Sequence, residues 1–270
     1  MNNDYAVRSL CAILTVILTD FLIFLARQIE TLKNSALSFI FLAGFLGCKK
    51  ENNQHCLLVS THSSGNGNTQ ISLLTYDSLE RIKSISTGGQ GVVSYTYFKD
   101  SVVEQNLGQH KVYYLNPSDL ATSSRTTFNP NPNGVQLDDS YTYNGEGYLV
   151  DQQEIFTQLY NGNILKDTVI YHYTIQGGNV VKLQGTNTED LIIEYGSDLA
   201  TSPFINYLFI NEALPFLGKP STNLAIRTKN NYGGVNSSIS YGRDSRGNVI
   251  LRTNSNANGS FTTSYSYQCN

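Results

Sequence analysis

The sequence predicts an all-β domain, an antiparallel meander forming a strongly curved, barrel-like sheet, preceded by an N-terminal hydrophobic signal or anchor segment. Three observations carry the prediction. Beyond Cys48, apolar and polar residues alternate with period two; Gly, Asn and Asp turns separate the alternating stretches; and no long helical period with caps occurs there. The best candidate for a short helix is Phe204–Leu214, in the least strand-like segment.

The strands read clearly where aromatic residues mark one face. Val169, Tyr171, Tyr173 and Ile175 share a face, and Thr168, Ile170, His172 and Thr174 share the other. Val93, Tyr95 and Tyr97 repeat the arrangement, as do Thr263, Tyr265, Tyr267 and Cys269. Seventeen of the eighteen tyrosines follow Cys48 and there is no Trp. Tyr and Thr suit a half-buried pleated surface, where a ring packs while its hydroxyl stays solvated. Typical strand and turn lengths give about ten strands.

The turns form a weak internal repeat. Tyr141-Thr142-Tyr143-Asn144-Gly145-Glu146-Gly147-Tyr148-Leu149-Val150 is its clearest copy. Tyr241 to Ile250 repeats it through Asp244 and Gly247, and Tyr171-His172-Tyr173 leads to Gly178-Asn179-Val180-Val181. Tyr76–Ile82 is a degenerate copy, with Glu80 where Gly is expected. In each, an aromatic strand end meets a polar turn and then a fresh apolar strand. Gly supplies the positive φ that tight hairpins need.

The first 47 residues are different in kind. A basic residue, Lys33, precedes the apolar run Ala36–Gly47, and Leu46-Gly47 leads into Cys48. Twelve residues are short for a bilayer span and suit a signal h-region. The stretch resembles a bacterial lipobox, with Phe45 where that pattern prefers Leu. The resemblance implies diacylglycerol on the Cys48 thiol, cleavage before Cys48 and N-acylation, hence a membrane anchor. A transmembrane anchor with an incidental cysteine is the bland alternative. Residues 1–31 fit neither layout well, because a second apolar stretch containing Asp20 comes first. Two readings stand: translation starting near Leu32, or a transmembrane helix over Val7–Ala26 with Asp20 costly near its centre. The expected organisation is a leader over 1–47, a tether over 48–55 and one β domain over 56–270. Cys48-Lys49-Lys50-Glu51 also resembles the Lys-plus-acidic surface-export signals of Bacteroidota-type lipoproteins, with a single acidic residue.

With Cys11 in the leader and Cys48 as lipid acceptor, Cys56 and Cys269 remain. Export to an oxidising compartment favours a bond between them, joining the first and last strands. In a chain-entropy treatment it contributes on the order of 4–5 kcal/mol. Two free buried thiols are the alternative.

A search for chemistry finds little. His55, His62, His110 and His172 are scattered without metal-ligand spacing. Asn129-Pro130-Asn131-Pro132-Asn133-Gly134 mimics the start of a calcium loop, but Ser140 stands where the bidentate Glu belongs and the prolines suit a rigid turn. Ser63-Ser64-Gly65-Asn66-Gly67-Asn68 lacks the helix and Lys of a phosphate loop, and no Gly-x-Ser-x-Gly elbow occurs. Glu104, Asp138, Asp139, Glu189 and Asp190 are available for paired-carboxylate chemistry, with nothing in the sequence to pair them. No cofactor is expected. A net charge of −3 gives no basic patch for nucleic acid. The apolar segment Phe204–Leu217 breaks the hairpin rhythm. It is read as a plug for one barrel end, or as a lid carrying Phe204, Tyr207, Phe209 and Phe216 over an apolar pocket.

The Tyr-Asp-x-x-Gly-Arg/Asn turns resemble YD/RHS-type repeats. From Cys56 to Cys269, including Leu217-Gly218-Lys219-Pro220-Ser221, the chain resembles a Bacteroidota family of uncharacterised lipoproteins described as porin-like. That resemblance implies a curved, barrel-like antiparallel sheet and leaves activity unassigned. The expected function is a monomeric, non-enzymatic envelope binding module for a glycan or protein. An apolar-ligand carrier and an enzyme with an unrecognised carboxylate site are the alternatives. Because apolar outward bands are missing, the barrel is expected to sit outside the bilayer.

Overall fold

The computed structural model describes residues 56–269, apart from 66, 90, 130–133, 161, 162, 187 and 201–213. Alternation produces sixteen strands rather than about ten, because most are only six to nine residues long and are joined by tight turns. They are β1 Cys56–Gly65, β2 Asn68–Tyr76, β3 Ile82–Thr87, β4 Gly91–Tyr97, β5 Ser101–Asn106, β6 Gln109–Leu115, β7 Ala121–Phe128 and β8 Gln136–Tyr143. They continue as β9 Leu149–Tyr160, β10 Asn163–Gln176, β11 Asn179–Gly185, β12 Leu191–Leu199, β13 Asn223–Asn230, β14 Val235–Arg243, β15 Val249–Asn256 and β16 Gly259–Cys269. Each strand pairs antiparallel with its chain neighbours, and β1 pairs with β16, so the meander closes into a barrel with no free edge. Cys56 lies directly opposite Cys269 in that seam and is disulfide-bonded to it. The bond spans 213 residues of chain, for which loop-closure entropy alone gives about 5 kcal/mol.

One turn geometry recurs five times. At Asp77, Asn116, Asn144, Asn230 and Asp244 the backbone N–H donates to the carbonyl four residues on, at 2.8–3.0 Å. The side-chain Oδ1 of the same residue accepts from the N–H groups two and four residues on. The fourth residue then has positive φ: Gly147, Gly233 and Gly247, but also Glu80 at 60° and Asp119 at 59°. This is a type I turn followed by a left-handed residue, which adds a bulge to the hairpin. The register slips beside every copy, between Thr75/Tyr76, Tyr114/Leu115, Thr142/Tyr143, Thr228/Lys229 and Gly242/Arg243.

The start of β1, the end of β16 and four of these five turns, at Asp77, Asn116, Asn144 and Asp244, lie at one end of the barrel. A ring of six tyrosines closes that end. Tyr76, Tyr97, Tyr143, Tyr195, Tyr241 and Tyr267 stand on even-numbered strands, all but the mid-strand Tyr195 near the strand end. Each donates its hydroxyl to a carbonyl near the start of the preceding strand: Leu58, Ile82, Ala121, Val180, Ala225 and Val249, at 2.6–2.9 Å. The rings fill the lumen while the hydroxyls satisfy backbone groups that the turns leave over.

Their interior is completed by chain between β12 and β13. There Pro215–Leu217 forms a 3₁₀ turn, with Leu214, Phe216 and Leu217 buried. Phe216 sits 4.8 Å from the Tyr113 ring and 6.4 Å from Tyr97, centroid to centroid. The segment is tied to the wall by Lys219 N–H on the Gly147 carbonyl (2.9 Å) and Thr222 N–H on Gly178 (3.0 Å). Gly218 permits this approach: its φ is 104°, and a Cβ there would lie 3.1 Å from the Gly147 carbonyl oxygen. The closed end is therefore a packed core rather than a pore.

Two outcomes are expected. Gly147→Ala lowers stability by about 1–2 kcal/mol through the left-handed backbone, whereas Glu80→Gly, which removes that strain, does not lower it. Thermal unfolding of both variants checks this. Burial also pushes Tyr76 and Tyr97 up to about 12. A raised phenol favours the folded state fully below its ordinary value of about 10 and loses that stabilisation as pH climbs through about 12. Alkaline titration followed by tyrosinate absorbance and circular dichroism should show late-ionising tyrosines, with strands lost as they ionise. Complete ionisation near pH 10 with the strands intact would contradict the ring.

Candidate ligand-binding site in the barrel lumen

Which residues face the lumen follows from pairing, because residues directly opposite on antiparallel strands share a face. Thr75, Ser84, Ser94, Gln105, His110, Thr127, Gln136, Thr157 and Lys166 form one unbroken row across eight pairings from β2 to β10. Their neighbours Leu74 and Tyr95 are buried, so this row is the outer face, and it is polar throughout. Exposed apolar residues are interspersed on that face, among them Ile71, Leu73, Val92, Tyr114, Leu159 and Ile164.

Inside, polarity changes along the barrel axis. Beyond the tyrosine ring, Tyr113, Ser124, Asp139, Glu154 and Val169 form an inward row across β6 to β10. Buried Asp139 accepts the Lys111 ammonium at 2.9 Å, the Ser124 hydroxyl at 2.7 Å and the Gln152 amide at 3.4 Å. Ser124 also bonds the Tyr141 hydroxyl at 2.9 Å, and Tyr113 donates to Glu104 at 3.0 Å. Burial, and then the Asp139 charge, raise the Glu154 carboxyl above its ordinary value. Burial likewise raises the Tyr113 and Tyr141 phenols. Asp139 and Glu154 thus face each other, the pairing that the sequence left unassigned. Three donors occupy Asp139, so the network reads first as a satisfied lumen wall.

On the opposite side the lumen opens into a cavity of about 390 Å³, built by β1, β2, β3, β15 and β16 around the closing seam. Its rows are again set by register. Gln70, Ser63, Thr263 and Arg252 lie side by side, then Ser72, Thr61 and Tyr265 one layer nearer the closed end. Asn254 and Phe261 face each other at the outer rim, and Leu74 and Ile85 form the floor. Ser63 and Thr263 hydroxyls bond across the seam at 3.0 Å, and the Asn254 Oδ1 is buried without a hydrogen-bond partner. Burial raises the Tyr265 phenol, opposed by the Arg252 guanidinium hydrogen-bonded to it. A volume in this range, with a few convergent polar groups, suits a small ligand.

The residues singled out in the sequence are not assembled here. Cys48, Phe204, Tyr207 and Phe209 lie outside the described residues. Phe216 is in the core of the closed end and takes no part in lining the cavity. His172 is exposed on the outer wall, where its Nδ1 contacts Asp151. Among the described residues, no three His, Cys, Asp or Glu side chains are grouped to hold a metal. Sequence reading missed the cavity because Ser63 and Thr263, for example, are 200 residues apart.

No family model matches the chain, and no curated protein matches it in sequence. Its fold is nevertheless shared. A crystal structure of a porin-like protein from Bacteroides uniformis ATCC 8492 superimposes with a TM-score of 0.62 at 15% identity, covering 78% of this chain and 97% of that one. A second, from Bacteroides vulgatus ATCC 8482, gives 0.58 at 14% identity, covering 78% and 98%. The chain has the fold of these porin-like barrels.

Proposed function

We propose that this chain is a lipid-anchored envelope protein that binds a small, hydroxyl-rich ligand, such as a glycan fragment, in the lumen cavity at the barrel's open end. The observation that carries the reading is the contrast between the two ends: one plugged by aromatic rings and Phe216, the other holding an open cavity in which Ser, Thr, Gln, Asn and Arg side chains stand beside Leu74, Ile85 and two aromatic rings. A plugged lumen argues against free permeation. The polar outer row argues against lipid contact, since a membrane barrel presents an apolar band about 25 Å tall. We therefore read the barrel as standing in water, attached through Cys48.

The binding reading treats the protein as non-enzymatic, although Asp139 facing Glu154 keeps a carboxylate-based reaction in view. An apolar-ligand carrier is the second reading: Leu74, Ile85, Phe261 and Tyr265 give the cavity substantial apolar surface, while Arg252, Asn254, Gln70 and the Ser and Thr hydroxyls favour a ligand that also carries polar groups.

Phe261 offers the stacking face and is 42% exposed, so its loss should spare the fold. Screening the purified full chain against a glycan array should identify saccharide ligands. Phe261→Ala should weaken their binding about tenfold with no change in melting temperature. Absence of any saccharide binding would remove the proposal.

A further inference from the structure

Resting on the cavity reading above, we propose that the ligand is an acidic saccharide whose carboxylate is held by Arg252. Arg252 is the single charged residue among those lining the cavity, and none of the eleven is acidic. A guanidinium presents donors in a planar fork matched to a carboxylate, so an anion can join two of its N–H groups at once. The Tyr265 hydroxyl shares that guanidinium, which fixes its position on the wall.

The groups around Arg252 ask for more than a bare anion. Asn254 Oδ1 is a buried acceptor without a donor. A buried acceptor left so is destabilising, and a ligand hydroxyl would relieve that cost. Thr263 stands directly beside Arg252, and Ser63, hydrogen-bonded to it, and Gln70 extend the same row across the seam. Phe261, opposite Asn254, supplies a ring face for the C–H side of a sugar. One carboxylate, several hydroxyls and one apolar ring face together describe a uronic-acid type of saccharide. They describe a neutral sugar or a lipid less well.

Titration calorimetry of the full chain with glucuronate, glucose and inorganic phosphate, repeated with Arg252→Gln and Asn254→Leu, tests this. Glucuronate should bind at least tenfold more tightly than glucose and than phosphate. Arg252→Gln should erase the preference over glucose, and Asn254→Leu should weaken both sugars about equally, neither variant having a melting temperature below that of the wild type. Equal affinity for glucuronate and glucose would overturn the acidic assignment while leaving the cavity reading intact. Phosphate binding as tightly as glucuronate would reduce the site to a simple anion site and overturn the saccharide assignment. Failure of both sugars would remove the cavity reading as well. Should Arg252→Gln fail to fold, Arg252→Lys replaces it. Lys keeps the charge but loses the planar fork, so an undiminished preference there would overturn the paired-hydrogen-bond geometry.

Discussion

A closed sheet of sixteen strands encloses more space than its inward side chains can ordinarily fill, and the rest of this structure follows from how that space is divided. At one end the solution is bulk. Tyrosines whose rings lean over the neighbouring strand fill the space along the wall, and the chain between β12 and β13 adds Leu214, Phe216 and Leu217 inside them. At the other end the wall carries Ser, Thr, Asn, Gln and Arg252 beside a few apolar side chains, and a cavity remains. Phenol hydroxyls make the filled end specific as well as full. Each of the six carbonyl bonds joins a ring to a particular strand start, so the packing cannot slide by a residue without leaving buried polar groups unpaired.

Closure has a second consequence. Sheet edges invite pairing with other chains, and a barrel removes them only if its first and last strands meet in register. Here that seam is secured twice: covalently by Cys56–Cys269 at the closed end, and by a ladder running out to Ser64 opposite Thr262. The candidate cavity straddles the same seam. Binding and closure therefore draw on one set of residues, and a ligand bridging Ser63, Thr263 and Arg252 would favour the closed barrel over the open meander.

Much of the fold was legible in the sequence, for local reasons. Period-two alternation placed the strands around Val93, Val169 and Thr263 and assigned their faces. The Asn144 and Asp244 turns announced themselves through Gly147 and Gly247. Asn116 and Asn230 form the same turn but went unread. The first has Asp119 instead of Gly at the left-handed position, and the second is not preceded by the aromatic pattern of the other copies. The expectation of export to an oxidising compartment made Cys56–Cys269 readable by elimination. Strand number was not legible, because six-residue strands and tight turns blur into longer segments when read by alternation alone. The cavity, the Lys111–Asp139 contact and the facing of Asp139 and Glu154 arise from register and closure, which no local pattern encodes.

The central claim is that this porin-like fold stands in water rather than spanning lipid, and outward positions test it most directly. Ser94→Cys and Thr127→Cys, both on the polar outer row, would be treated in native membranes with a charged, membrane-impermeant thiol reagent, with exposure to the reagent on either side after gentle permeabilisation. The account predicts that both label as fully as in detergent, above the background of the unmodified chain. Protection of both in membranes, lifted only by detergent, would mean that the row faces lipid and that the barrel crosses the bilayer.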